Sequence, residues 1–139
     1  MIVIIFGPDC SGKDSVRHEL SKLMNYEPWI IVRSPICNMV YDKLYKRKSN
    51  ETWLKIIINL FDRVFETKWI YLYATPEEIL RRADGKGELH ILKLKHAKQQ
   101  LDLYEKYFNK YKNKNFYKFN TTHKTVKQVA QKIYDTFKK

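Results

Sequence analysis

The sequence predicts an α/β fold built on a parallel sheet of about four strands. Short apolar runs alternate along the chain with longer segments of helical spacing, which is the order typical of a parallel sheet. The first run, residues 2–6, is continuous and β-branched, as expected of a strand buried on both faces. Because the 139 residues contain no repeat, linker or low-complexity tract, we expect a single domain over 1–139.

The individual elements follow from the apolar runs and the residues that interrupt them. Strands are predicted at 2–6, 29–32, 69–73 and 116–119. Helices are predicted at 13–24, at 36–47, at 51–65, from Thr75 to a break at Gly85 and Gly87, at 89–112, and after Thr125. Each predicted strand is therefore followed by at least one helix, as crossovers between parallel strands require.

Two helix starts carry capping signals. Thr75, Pro76 and Glu78 have the pattern of an N-cap, a proline at the first helical position and a capping-box glutamate. Thr125 and Gln128 have the pattern of a second capping box. Both patterns favour helices that begin at these residues.

Apolar spacing predicts which helix faces are buried. One face of the 51–65 helix is predicted to hold Trp53, Ile57, Leu60, Phe61 and Val64. The last helix is predicted to bury Val126, Val129, Ile133 and Phe137. The long helix carries a stripe of Leu94, Ala97, Leu101, Tyr104, Phe108 and Tyr111. We assign this stripe to core packing and to no chemistry.

The chain is strongly basic, with a formal net charge of +12 from 27 Lys and Arg against 15 Asp and Glu. From His90 onward, 13 lysines stand against three acidic residues. Such a face suits a polyanion such as nucleic acid, whereas an AT-rich coding bias would place lysines at permissive surface positions without function. We favour the coding bias, because no zinc-finger spacing or arginine–aromatic cluster accompanies the lysines.

The remaining composition favours a cytoplasmic protein without a membrane segment. The two cysteines provide no disulfide framework. The N-terminal apolar run is six residues long and lacks the basic start of a secretory signal. No apolar run approaches the length that spans a bilayer.

Residues 7–13 read Gly-Pro-Asp-Cys-Ser-Gly-Lys and have the spacing of a phosphate-binding P-loop between a buried strand and a helix start. The glycines let successive backbone N–H groups face phosphate oxygens, and the helix N-terminus adds a positive dipole. Lys13 would reach the β- and γ-phosphates of ATP. A glycine-rich turn that binds nothing would explain the glycines but not Lys13. The predicted nucleotide-binding residues are Gly7, Asp9, Cys10, Ser11, Gly12, Lys13, Asp14 and Ser15.

The residue after Lys13 departs from the usual motif, which has Ser or Thr there to bind Mg²⁺. This chain has Asp14 at that position and Ser15 next. An aspartate is a competent hard-oxygen ligand, directly or through water, and the Ser15 hydroxyl is the alternative. Both are predicted metal ligands, and the choice between them stays open.

A second motif follows the 29–32 strand and begins at Arg33. Cys37, Asn38 and Tyr41 follow this arginine by four, five and eight residues. Together with the loop, this motif resembles the thymidylate kinase family of P-loop nucleoside monophosphate kinases, in a shortened form. In that family Ser follows the arginine by four residues and Tyr or Phe follows it by eight. The Lys-Asp-Ser order also resembles the loop of some bacteriophage deoxynucleotide kinases, which agrees with a viral origin.

The resemblance implies a P-loop NTPase-type three-layer sandwich and a role for each matched residue. Arg33 would clamp the α-phosphate of the acceptor nucleotide. Cys37 falls on the family's serine position, and Asn38 on a position that some members use toward the base. Asp9 would meet the 3′-hydroxyl of the sugar, and Tyr41 would crowd its 2′ position. From residue evidence alone, Arg33 also fits a surface salt bridge and Tyr41 a core aromatic residue.

The resemblance also implies a lid over about 81–90, from which Arg81 and Arg82 would close over the transferring phosphoryl group. The implied reaction moves the γ-phosphate of ATP to a deoxynucleoside monophosphate with Mg²⁺, so that Lys13, Arg33, Arg81 and Arg82 form the catalytic set. The alternative for the two lid arginines is a solvated helix face. A homodimer is left open.

Two departures from the family concern the acceptor. Val32 stands where the family has an acidic residue, and the link before Trp29 lacks the strand and two helices that grip the base in full-length relatives. The base of the acceptor is therefore undetermined. Two alternatives stay open: a deoxynucleoside kinase, and a nucleotide-binding protein that does not catalyse and binds nucleic acid through its lysines.

Overall fold

The computed structural model of the protein describes residues 1–48, 50–85 and 94–138. Its strands are β1 (Ile2–Phe6), β2 (Trp29–Ile31), β3 (Thr67–Tyr73) and β4 (Phe116–Asn120). Its helices are α1 (Lys13–Leu23), α2 (Pro35–Leu44), α3 (Glu51–Val64), α4 (Pro76–Gly85), α5 (Leu94–Tyr111) and α6 (Val126–Lys138). The predicted order of strands and helices is confirmed.

The four strands form one parallel sheet in the order β2-β1-β3-β4. On one face, α2, α3 and α5 cover an aromatic core that includes Phe6, Trp69 and Tyr71. On the other face, α1 and α6 cover an aliphatic core around Val3 and Ile5. Helices thus lie on both faces of the sheet, and the predicted three-layer fold class is confirmed.

The carboxyl ends of all four strands meet at one edge of the sheet, because the strands are parallel. The loops that follow β1, β2, β3 and β4 therefore lie next to one another. Ligands of open α/β sheets bind at this edge. Residues 7–13, Arg33, Thr75 and Thr121 all lie at this edge of the sheet.

The predicted apolar face of α3 is mostly exposed, although Phe61 packs against the aromatic core. Trp53, Leu60 and Val64 are 59%, 56% and 59% exposed, whereas Leu54 and Ile58 are buried. The apolar arc covers slightly more than half of this helix, so periodicity marks the arc but not which side of it packs on the core. By contrast, α6 buries Val129 and Ile133 and half-buries the other two predicted residues.

The capping box at α4 forms only in part. Thr75 Oγ1 accepts a hydrogen bond from the N–H of Glu78 at 3.3 Å, so the threonine caps the helix. The Glu78 carboxylate binds Arg81 and Arg82 instead of returning to the backbone of Thr75. Two guanidinium groups offer a carboxylate stronger bonds than one neutral N–H does.

The predicted box at α6 is complete, because Thr125 and Gln128 each accept a hydrogen bond from the other's backbone N–H.

Three predictions fall partly on residues outside the described ranges: the lid beyond residue 85, the break at Gly87 and the start of the long helix at 89–93. None of the helices that are described is long and apolar enough to cross a bilayer.

Candidate active site

The loop between β1 and α1 requires glycine at two positions. Gly7 has φ +150°, and a Cβ atom there would lie 2.0 Å from the carbonyl oxygen of Leu72 on β3. Gly12 has φ +94° and is the N-cap of α1. The first glycine allows close packing on β3, and the second allows the left-handed turn into the helix. The loop therefore ends at the positive N-terminus of an eleven-residue helix.

Ser11 is fully buried in this loop, and its Oγ has no hydrogen-bond partner within the described residues. Buried hydroxyl groups are rarely left unpaired, and exceptions concentrate at functional sites. An anion in the loop is a suitable partner. This observation supports the predicted phosphate-binding role of Ser11.

The Lys13 ammonium folds back over the same loop. Its Nζ donates hydrogen bonds to the carbonyl oxygens of Gly7 at 2.7 Å and Pro8 at 2.9 Å. Burial lowers the pKa of Lys13, and nearby groups such as Cys37 and Asp9 oppose this shift. A negatively charged phosphate would stabilise the charged lysine in this position.

A pocket of about 610 Å³ opens on the α2 side of the loop, and we call it the acceptor pocket. It is lined by all the predicted acceptor residues, namely Asp9, Arg33, Cys37, Asn38 and Tyr41. Arg33 is exposed and makes no hydrogen bond or ion pair with any residue that the structure describes. Ser34 holds the first turn of α2 next to it by accepting a hydrogen bond from the N–H of Cys37 at 3.3 Å. An unpaired arginine on a fixed turn suits a phosphate ligand.

Asp9 joins three elements at the floor of the acceptor pocket. Its Oδ1 accepts a hydrogen bond from the Tyr41 hydroxyl on α2. Its Oδ2 accepts one at 3.0 Å from Nε2 of Gln100 on α5, and the Asp9 backbone N–H donates to Oε1 of the same amide at 3.0 Å. The sequence analysis predicted that Asp9 and Tyr41 both contact the acceptor sugar, but it did not predict the role of Gln100. The available signal was a glutamine on the buried stripe, three residues after Ala97 and four before Tyr104.

A second pocket of about 710 Å³ lies on the opposite side of the loop, between α4 and the start of α6, and we call it the donor pocket. The two pockets share Cys10, Gly12 and Ser15, so they meet at the loop.

The two predicted lid arginines have different environments at the donor pocket. Arg82 is half-buried and donates four hydrogen bonds, to Glu78, to the carbonyl oxygen of Cys10, and to the hydroxyl and carbonyl oxygens of Thr121. Arg81 is 73% exposed and pairs with Glu78. The pKa of Glu78 falls to about 2, mainly through its hydrogen bond from Arg81 and then that from Arg82. Arg82 is thus fixed to the loop, while Arg81 lies at the surface.

Solved structures with a similar architecture include a nucleoside kinase and a nucleotide kinase. The YorR protein from Bacillus subtilis, in complex with phosphorylated GDP, aligns with a TM-score of 0.84 at 23% identity, over 99% of this chain and 96% of that chain. Deoxyadenosine kinase from M. mycoides aligns at 0.69 and 17% identity, over 99% and 98%. Thymidylate kinase from Candida albicans aligns at 0.65 and 16% identity, over 99% and 90%.

The fold is that of the P-loop nucleoside and nucleotide kinases. The resemblance to the thymidylate kinase family is therefore confirmed for the fold. No family model matches the sequence, and no curated protein is significantly similar to it.

Mg²⁺, which P-loop kinases use, fits the residues at the start of α1. Asp14 and Ser15 are both exposed in the first helical turn and line the acceptor pocket. The described residues contain no group of three or more His, Cys, Asp or Glu side chains able to hold a metal. Mg²⁺ commonly binds through one or two carboxylates, with substrate phosphates and waters as its other ligands. The first turn of α1 provides one carboxylate, that of Asp14. The choice between Asp14 and Ser15 stays a prediction.

Val32 is half-buried, packs against the aliphatic core and lines the acceptor pocket. It provides no carboxylate where β2 ends. This position therefore contributes neither a metal ligand nor a general base to the kinase fold.

Proposed function

We propose that the chain is a nucleoside monophosphate kinase that transfers the γ-phosphate of ATP to a deoxynucleoside monophosphate. The observation that carries the proposal is the pair of pockets that meet at one phosphate loop, one of them lined by Arg33, which has no partner among the described residues. A kinase acting on two nucleotides needs this arrangement, because donor and acceptor phosphates must lie in line.

The donor nucleotide would bind with its triphosphate on the loop and its base and sugar in the donor pocket. Backbone N–H groups, the Ser11 hydroxyl and Lys13 would contact the phosphates. Arg82 would form a fixed wall of the pocket, since four of its donors are already used. Arg81, which is exposed and would have to leave its ion pair with Glu78, is then the arginine that would approach the transferring group. Mg²⁺, held by Asp14 or Ser15, would neutralise charge on the β- and γ-phosphates.

The acceptor would bind with its phosphate on Arg33 and its sugar against Asp9 and Tyr41. The planar guanidinium group matches two phosphate oxygens at once. An acceptor phosphate is already ionised near neutral pH, so its oxygen attacks without losing a proton to the enzyme. The apolar Val32 is therefore compatible with a monophosphate acceptor.

A deoxynucleoside kinase is the second candidate, and the fold similarity to the M. mycoides enzyme favours it. Its acceptor is a 5′-hydroxyl group, which must lose a proton during transfer, and a nearby carboxylate normally accepts that proton. Val32 offers no such group at the end of β2.

An assay with purified protein, Mg-ATP, the four deoxynucleosides and their four 5′-monophosphates separates these candidates. We expect at least one monophosphate to yield a diphosphate, with one ADP formed for each. Transfer to deoxynucleosides alone would establish the second candidate. A protein that transfers phosphate to none of the eight would contradict both.

A further inference from the structure

Helix α3 carries an apolar stripe that the described residues leave largely exposed. Trp53, Leu60 and Val64 are between 56% and 59% exposed, and Ile57 on the same side of the helix is half-buried. We call these four residues the α3 stripe. It extends about 17 Å along the helix, because each residue adds about 1.5 Å. None of the four lines either pocket at the loop, so the proposed function does not use them.

The area of the α3 stripe is that of an interaction surface. With Ile56, which lies beside it and is 49% exposed, the stripe presents roughly 400 to 500 Å² of apolar surface. The largest apolar patch of a typical monomer has about this area, and such patches often bind a partner. A standard dimer interface buries about 800 Å² on each subunit. The stripe is therefore large enough to form the apolar centre of such an interface.

Hydrogen bonds at both ends of α3 fix the direction in which the stripe faces. Near the start of the helix, Glu51 accepts a hydrogen bond from the Tyr111 hydroxyl at 2.9 Å. Near its end, Asp62 accepts one from the indole N–H of Trp69 at 2.9 Å. The helix cannot rotate to turn the stripe inward without breaking both bonds. The stripe is thus a preformed surface, which reduces the entropy cost of binding.

The spacing of the α3 stripe is self-complementary. Its members follow one another by four, three and four residues, which is the spacing of a coiled-coil seam and is the same in both directions. A two-fold axis through the middle of the stripe would pack two α3 helices antiparallel. Trp53 would then lie opposite Val64 of the second copy, and Ile57 opposite Leu60. The largest side chain meets the smallest, so the seam is evenly filled.

The charges of α3 favour a second copy over an acidic partner. The whole chain has a formal net charge of +12, so two copies repel each other unless they meet at an uncharged face. Helix α3 has no net charge, because Glu51 and Asp62 balance Lys55 and Arg63. None of these four residues belongs to the stripe. An acidic partner would gain no charge pairing there and would bind the lysine-rich helices instead.

We propose that the chain forms a homodimer in which the α3 stripes of two copies pack antiparallel. The partner is a second copy of this chain, and the interface is isologous, so that each stripe covers the other. The inference goes beyond the proposed function and does not depend on it. It also explains why a helix face with a buried-face pattern is exposed in the single chain.

Analytical ultracentrifugation of the full chain and of two variants tests the proposal. Leu60→Glu places a charge in the middle of the stripe. Asn59→Glu is the matched control, because it adds the same charge at an exposed position on the same helix, away from the stripe. Both positions are exposed, so neither substitution disturbs the core, and circular dichroism would verify the fold.

We expect the wild-type chain to sediment as a dimer at micromolar concentrations. Leu60→Glu should raise the Kd of the dimer at least about 100-fold, because symmetry places the buried charge in the interface twice. Asn59→Glu should change this Kd by less than about 3-fold. A monomeric wild-type chain would overturn the inference, as would a Leu60→Glu variant that remains a dimer. Equal dissociation of both variants would overturn it as well.

Cross-linking tests the orientation without the Leu60→Glu variant. On oxidation, a mixture of Trp53→Cys and Val64→Cys chains should form a disulfide-linked mixed dimer in higher yield than either variant forms with itself. The wild-type chain, which keeps Cys10 and Cys37, measures the background. Cross-linking of each variant chiefly with itself would indicate parallel helices and would overturn the antiparallel arrangement.

Discussion

Lys13→Ala is expected to reduce phosphoryl transfer about 10³-fold or more, because lysine and arginine contacts to a transferring phosphoryl group are worth that much. The Kd for ATP should rise as well, since the ammonium also contacts phosphates in the ground state. Steady-state kinetics and ATP calorimetry would measure the two effects.

The fold should survive this substitution. Burial lowers the pKa of Lys13, which means that the folded state disfavours its charged form, so removing the ammonium relieves that cost. The loss of two bonds to loop carbonyl groups acts in the opposite direction. We therefore expect a change in the free energy of unfolding within about 1 kcal/mol.

Lys22→Ala is the matched control for Lys13→Ala. Lys22 lies on the same helix, is exposed and pairs with Glu19 away from both pockets. It should keep wild-type kinetics. Wild-type turnover in Lys13→Ala, or an equal loss in both variants, would contradict the assignment of the loop.

Arg33→Ala is expected to raise the KM for the acceptor about 10- to 150-fold and to change the KM for ATP by less than about 3-fold. A charge-assisted pair of hydrogen bonds to phosphate is worth about 1.5–3 kcal/mol, which corresponds to this range. Arg33→Lys should recover only part of the loss, because lysine keeps the charge but lacks the planar fork. Arg63→Lys, at an exposed position on α3, is the control. Equal losses for both substrates would place Arg33 outside the acceptor site.

The sequence was sufficient for those parts of the site that depend on local structure. Gly7 and Gly12 are needed for backbone conformations that other residues rarely adopt, so the loop can be predicted from the sequence alone. Arg33, Cys37 and Tyr41 were predicted from the resemblance of their spacing to the thymidylate kinase motif, and all three line the acceptor pocket.

Other features depend on which elements pack together, and periodicity does not contain that information. Tyr104 lines the acceptor pocket and Gln100 binds Asp9 because α5 packs beside α2. The hydrogen bonds of Arg82 to Cys10 and Thr121 depend on the packing of α4 against the loop and the end of β4. The buried face of α3 was missed for a related reason, because its apolar arc covers slightly more than half of the helix.

The central claim is that two nucleotides lie on opposite sides of one phosphate loop. The most direct test is the binding of a bisubstrate analogue in which adenosine is joined through five phosphates to the preferred deoxynucleoside. We expect one analogue per chain, displaced by ATP and by the acceptor, with a Kd at least about 100-fold lower than that of ATP because the second binding event becomes intramolecular. An analogue that ATP displaces but the acceptor does not, or that binds no more tightly than ATP, would contradict the claim.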